Sequence, residues 1–199
     1  MRKNGFFAMM TRMRNITRWG LMRNNITENL TEHSYDTAVT AHALAVIAKE
    51  KFGREIDPGQ IAAVALFHDA SEIITGDLPT PVKYNNPEIQ TAYKSIEQAA
   101  SDSLLKMLPT ELQPQYRVLF GFEADNPQLY RYVKAADKIS AYIKCVEELR
   151  GGNDEFRRAA VQIREAIGKM EMPEVDYYME QFAPAFALSL DELQEEDNR

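Results

Sequence analysis

Ala65-Leu66-Phe67-His68-Asp69-Ala70-Ser71-Glu72 sets an imidazole and two carboxylates among apolar neighbours. Read as part of one helix, its apolar stripe runs through Ile61, Val64 and Ala65, Phe67 and His68, then Ser71 and Glu72. The imidazole and the last carboxylate therefore point toward a core, where such groups are costly unless each has a partner. His68 and Glu72 stand four apart on one face, whereas Asp69 is rotated by about 100° from His68. One divalent cation can be reached by His68 and Asp69 together, with Glu72 just beyond it, near a bound water. The bland alternative is a core histidine beside a surface aspartate, and the dipeptide alone does not separate the two.

With 199 residues, 45% of them hydrophobic and 27% charged, the chain has the makeup of one ordinary globular domain spanning 1–199. Its formal charge of -7 argues against non-specific binding to a nucleic-acid polymer or an anionic membrane. A small anion could still be bound where a few arginines gather. The single cysteine, Cys145, precludes an intramolecular disulfide and fits a reducing cytoplasm; its place in a helical pattern makes it a small core residue. No apolar run approaches the roughly 20 residues of a spanning helix. Arg12 and Arg14 interrupt the N-terminal apolar stretch before it resembles a signal peptide.

The period along the chain is close to 3.6 nearly throughout, which predicts an all-α fold. A first helix over about 4–14 gives way to a loop around Gly20, Asn24 and Asn25. Arg18 and Trp19, a fixed cation beside a large flat ring, fall on that loop, where they are either functional or a solvated arginine and an anchoring tryptophan. Thr27-Glu28-Asn29-Leu30-Thr31-Glu32-His33-Ser34 opens an alanine-rich helix that stops at Gly53. His33 lies in its first turn, and His42, nine residues on, is rotated by about 180° and cannot face the same site. Asp57-Pro58-Gly59-Gln60 starts the next helix with a cap, a first-position proline and a capping box, and that helix is expected to continue to Thr75-Gly76. The two prolines of Asp77-Leu78-Pro79-Thr80-Pro81 stiffen the following loop, either as a pocket wall or as a connector.

Asn86-Pro87 begins a helix with Ile89, Tyr93, Ile96, Ala100, Leu104 and Met107 on one face. Thr110 to Gln113 reads as a capping box for a short helix. Asn126-Pro127 opens a long helix to Leu149 whose core stripe is Leu129, Val133, Ala136, Ser140, Ile143 and Val146/Glu147, with Asp137 at its edge. Later segments carry Phe156, Ala160, Ile163 and Ile167, then Tyr178 and Phe182, and the acidic tail from about 189 is expected to fray. No internal repeat divides the chain.

Three helices thus each offer one unusual polar feature: His33, the His68-Asp69 pair, and Asp137. Two imidazoles and two carboxylates suit one divalent ion such as Co2+, Mn2+, Fe2+ or Zn2+. A histidine, a long gap, adjacent His-Asp, a long gap and an aspartate is the pattern of the HD-domain metal-dependent phosphohydrolases, and the chain resembles that superfamily over most of its length. Arg18-Trp19, Glu28-Asn29, Glu32-His33-Ser34, Phe67 to Glu72, Thr75 to Tyr84 and Lys134 to Asp137 resemble more closely its bacterial 5′-deoxynucleotidases. That resemblance implies a helical bundle with the metal between helices and hydrolysis of deoxyribonucleoside 5′-monophosphates by homodimers. It implies His33, His68, Asp69 and Asp137 as metal ligands, with His33 and Asp137 also facing substrate. Glu72 would transfer a proton and Arg18 orient the phosphate. Trp19 would press on the sugar and Asp77 accept from its 3′-hydroxyl, with Leu78, Pro79 and Thr80 shaping the pocket. Two rivals are another HD-type hydrolase and a silent nucleotide-binding module. Only three histidines are present, against a histidine-rich two-metal site, and the retained Glu72 argues against the silent module.

Overall fold

The computed structural model describes residues 4–79 and 86–196. Helices account for its regular structure, and among the described residues the extended backbone amounts to one antiparallel bridge between Thr17 and Asn29. The helices are α1 (Phe6–Met10), α2 (Leu30–Phe52), α3 (Pro58–Phe67), α4 (Glu72–Thr75), α5 (Pro87–Leu105) and α6 (Gln113–Phe120). After them come α7 (Phe122–Asp125), α8 (Pro127–Arg150), α9 (Arg157–Gly168), α10 (Pro173–Gln181) and α11 (Leu190–Glu196). A 3-10 turn (Thr11–Asn15) extends α1. No helix among the described residues is long and apolar enough to cross a membrane.

The centre of the fold is α2 packed on α3 and α8. Asn29 caps α2 by accepting from the N–H groups of Thr31 (2.9 Å) and Glu32 (3.1 Å), and Glu32 returns the bond to the Asn29 N–H (2.9 Å). This reciprocal cap begins the helix three residues before His33. Gly53 ends it at φ 63°, a backbone state that glycine adopts without a Cβ penalty. Buried Ala38, Ala41, Ala45 and Ala48 let the neighbouring helices approach, and Leu44, Ile61, Val64, Val133 and Ile139 fill the space between them. A second cluster forms where Phe6 of α1 packs on Leu104, Leu105 and Leu108, with Tyr116 5.0 Å away ring to ring.

Four expectations need correction. The inward face of α5 runs through Tyr93, Ala100 and Leu104, but Ile96 is 54% exposed and Glu97 takes its place on that stripe. Thr110 forms no capping box for α6; the Gln113 side chain donates to the Leu108 carbonyl at 3.1 Å instead. In α8 the stripe swings onto Lys144, Cys145 and Glu148, while Glu147 is exposed, because a buried ion pair occupies the last turns. The tail expected to fray from about 189 is helical over Leu190–Glu196, as α11. Ser189 and Glu192 supply its reciprocal cap, the Ser189 N–H and hydroxyl donating to Glu192 at 2.6 and 2.7 Å.

Candidate metal centre

The helix expected to run on to Thr75 ends at Phe67. From there the chain tightens: Ala70 N–H donates to the Phe67 carbonyl (3.1 Å) and Glu72 N–H to that of Asp69 (3.0 Å). In such a three-residue turn side chains at i and i+3 eclipse. Asp69 and Glu72 therefore share a side, where a continuous helix would have aligned His68 with Glu72. The Ala65 carbonyl accepts twice from His68, from its backbone N–H at 3.4 Å and from Nδ1 at 2.6 Å. Glu72, only 5% exposed, opens α4.

His33 from α2, His68 and Asp69 from the break after α3, and Asp137 from α8 converge. His33 is 0% exposed; its Nε2 lies 3.2 Å from Asp137 Oδ1 and 3.5 Å from Asp69 Oδ2. His68 Nε2 lies 3.2 Å from the same Asp69 oxygen, and the two imidazole rings are 5.3 Å apart. Each ring is fixed from behind, His68 by the Ala65 carbonyl and His33 by Ser140 Oγ at 3.3 Å from Nδ1. With Nδ1 so engaged, each Nε2 is aimed inward, the arrangement in which an outer hydrogen bond orients a metal-binding histidine. One ligand atom from each of His33, His68 and Asp69 falls within 4.8 Å of the others. His68 Nε2 is buried without a hydrogen bond of acceptable geometry, and such an orphan in a ring of carboxylates fits a cation.

Electrostatics reinforce the grouping. Burial opposes the His68 imidazolium, but the negative charge of Asp69 3.2 Å away, with Asp137 behind it, pushes its pKa up to about 9. Burial alone would raise the Asp69 carboxyl, yet His68, His33 and Arg18 hold it well below the carboxylate range. Asp137 is lowered in the same way: burial is outweighed by the hydrogen bond and charge of His33 and by His68.

Arg18 approaches from the loop before α2. Its Nη1 lies 3.4 Å from Asp69 Oδ2 and its Nε donates to Glu28 Oε2 at 3.2 Å. Trp19 donates its indole N–H to the same Glu28 oxygen at 2.9 Å and leans its ring on Phe156, centroids 5.3 Å apart. Asp77, Leu78 and Pro79 follow α4 half-buried, and the charge of Asp77 reaches Arg18. Thr80 lies outside the described residues. On the other side of His68, Asp69 and Asp137 a cleft of about 680 Å³ opens between α5 and α8, walled by Tyr93 and Tyr130.

The family profile described as 5′-deoxynucleotidase YfbR-like matches residues 5–186. The chain belongs to this family. Membership makes it a metal-dependent nucleotide phosphohydrolase of the phosphoric monoester class. A 5′-deoxynucleotidase of Photorhabdus laumondii is 48% identical over 94% of this chain and 95% of its own length, and one of Yersinia pestis is equally similar over the same shares. An HD-domain phosphohydrolase from Listeria innocua shares the fold with a TM-score of 0.79 at 24% identity, over 93% of this chain and 89% of that one. A cyanophage S-2L HD phosphohydrolase, solved with dA and one catalytic Zn2+ ion, aligns at TM-score 0.65 and 22% identity over 90% and 95%. These likenesses establish the HD-domain helical fold for this YfbR-like member.

His33, His68, Asp69, Asp137 and Arg18 come together, Trp19 is tied to Arg18 through Glu28, and His42, expected to face away, is exposed on α2. Ser140 was read only as a core residue and Glu28 only as part of a motif. Glu148 and Lys144 were missed altogether. They had a signal: a Lys/Glu pair four apart, which is indistinguishable in sequence from a solvated surface pair.

Proposed function

We propose that His33, His68, Asp69 and Asp137 hold one divalent ion, Co2+, Mn2+ or a similar one, and that this centre removes phosphate from deoxyribonucleoside 5′-monophosphates. The observation that carries the reading is the pair of imidazoles pinned at Nδ1, their Nε2 atoms converging on Asp69 Oδ2 at 3.5 and 3.2 Å. When bound, the ion supplies Lewis-acid polarisation of the phosphate and an acidified water. Glu72, turned to the same side as Asp69, takes the proton of the attacking water or gives one to the leaving nucleoside oxygen. Arg18 is committed through Nε and Nη1, and its Nη2, which has no bond among the described residues, remains to orient a phosphate oxygen. The apolar face of Trp19 packs on the sugar. Asp77 accepts from the 3′-hydroxyl, and Leu78 and Pro79 shape the wall beside which substrate also meets His33 and Asp137.

We further propose that the chain works as one domain, in the cytoplasm, as a homodimer. The lone buried cysteine supports the first location, and Tyr35 and Val39, exposed one turn apart on α2, are apolar residues that a second copy would cover. Phosphate release from 2′-deoxynucleoside and ribonucleoside 5′-monophosphates, cyclic nucleotides and guanosine polyphosphates tests the substrate. The deoxynucleoside monophosphates should be the preferred substrates; a preference for a diester or polyphosphate would overturn the reading.

A further inference from the structure

Glu28 is 8% exposed, and a single oxygen of it accepts both the Arg18 Nε–H (3.2 Å) and the Trp19 indole N–H (2.9 Å). The backbone reinforces the arrangement. Arg18 N–H donates to the Glu28 carbonyl at 3.0 Å, within the bridge that pairs Thr17 with Asn29. Trp19 is held at φ 58°, a left-handed state that is unfavourable for a bulky side chain. Its carbonyl is tied down by the Met22 N–H at 2.9 Å and the Asn24 side chain at 3.3 Å. A strained backbone and a buried carboxylate thus converge on the orientation of two adjacent side chains.

We infer that Glu28 is a positioning residue that sets the selectivity of the enzyme for the sugar. The inference rests on the proposed roles of Arg18 and Trp19 and deepens them. An indole has one polar group, its N–H. With that donor consumed by Glu28, every part of Trp19 still able to meet a sugar is apolar. A deoxyribose carbon packs against such a surface, whereas a ribose 2′-hydroxyl loses its water and finds no donor or acceptor there, a handicap of roughly 10- to 100-fold. The same oxygen fixes the Nε edge of Arg18, so the phosphate fork and the sugar wall keep one mutual geometry.

Glu28→Gln tests this with little change of shape. The carboxamide oxygen keeps two lone pairs but not the charge, and charge-assisted hydrogen bonds are roughly twice as strong as neutral ones, so the hold on both the Arg18 Nε–H and the indole N–H loosens. The readouts are the ratio of kcat/KM for deoxyadenosine and adenosine 5′-monophosphates and the fluorescence of Trp19, the sole tryptophan. Expected are an altered Trp19 emission and a drop of about 10-fold or more in the deoxy-to-ribo ratio, because a freed N–H can serve the 2′-hydroxyl. General damage to the fold would lower both kcat/KM values and leave their ratio. In a Trp19→Phe background, which has no N–H to release, Glu28→Gln should leave the ratio nearly unchanged; Glu28→Asp, one methylene shorter, should act like Glu28→Gln in the wild-type background. A wild type that prefers deoxyadenosine monophosphate and a Glu28→Gln variant that keeps the full preference would overturn the inference while leaving the proposed function intact. A wild type without any deoxy preference would overturn both.

Discussion

Replacing Glu148 by Gln should destabilise the protein by about 3 kcal/mol at pH 7, by loss of the native-state preference for its charged form. Glu148 is 0% exposed in the last turns of α8. It accepts the backbone N–H of Asn25 (2.9 Å) and of Ile26 (3.0 Å), the Asn153 side chain (2.8 Å) and the Lys144 ammonium (2.5 Å). Lys144 in turn donates to the Ile26 carbonyl. These bonds clamp the loop that carries Arg18 and Trp19 onto α8. Burial works against the carboxylate, but Lys144 and the three N–H donors outweigh it and hold the Glu148 pKa down at about 2.

Because the folded-state pKa lies below the unfolded one, the contribution is fully present above the ordinary glutamate range and is lost as pH falls toward 2. Against about 4.3 in the unfolded chain, a folded value of about 2 is worth about 3 kcal/mol at pH 7 and about 2 kcal/mol at pH 3.5. In the Gln variant an NH2 faces other donors and Lys144 loses its counter-charge in the interior, so little of this is recovered. Urea unfolding of both proteins, followed by circular dichroism at the two pH values, measures the gap. A gap that stays below about 1 kcal/mol at pH 7, no more than an exposed ion pair provides, or one that widens on acidification, would refute the reasoning.

Asp137→Ala should lose bound metal and activity together, since one anionic ligand of the centre disappears; metal content of the purified variant checks this, and full occupancy with full activity removes Asp137 from the ligand set. Glu72→Ala should still bind metal and nucleotide while turnover falls by about 10²-fold or more; unchanged single-turnover rates would mean that Glu72 moves no proton. Arg18→Lys should fold normally by circular dichroism yet lose most activity, because one ammonium cannot serve Glu28, Asp69 and a phosphate oxygen as the planar fork does; wild-type kinetics in this variant would return Arg18 to a structural role.

The convergent polar cluster was legible because His33 and His68, the latter beside Asp69, occupy core-facing positions and Asp137 edges an apolar stripe. The Asn29 and Glu32 cap and the Gly53 stop were legible because their residue types carry a backbone mechanism. The break at His68 was not. Ala65 to Thr75 contains neither proline nor glycine, so periodicity alone favours a continuous helix. The switch to i→i-3 bonding sets the His68 ring against the Ala65 carbonyl, a local bond that no residue type in the stretch announces. Glu148 escaped notice because its partners, Asn25, Ile26 and Asn153, are brought to it by the fold rather than by spacing. In the tail the Ser189-x-x-Glu192 cap supports a helix that acidity by itself argues against.

The central claim is that one ion held by His33, His68, Asp69 and Asp137 is required for phosphate release. The direct measurement strips the protein with a chelator and follows phosphate release from deoxyadenosine 5′-monophosphate as Co2+ or Mn2+ is titrated back. Negligible activity is expected after stripping, followed by a rise that levels off at one equivalent of ion per chain. Activity that survives stripping, or that needs two equivalents to return, would contradict the claim.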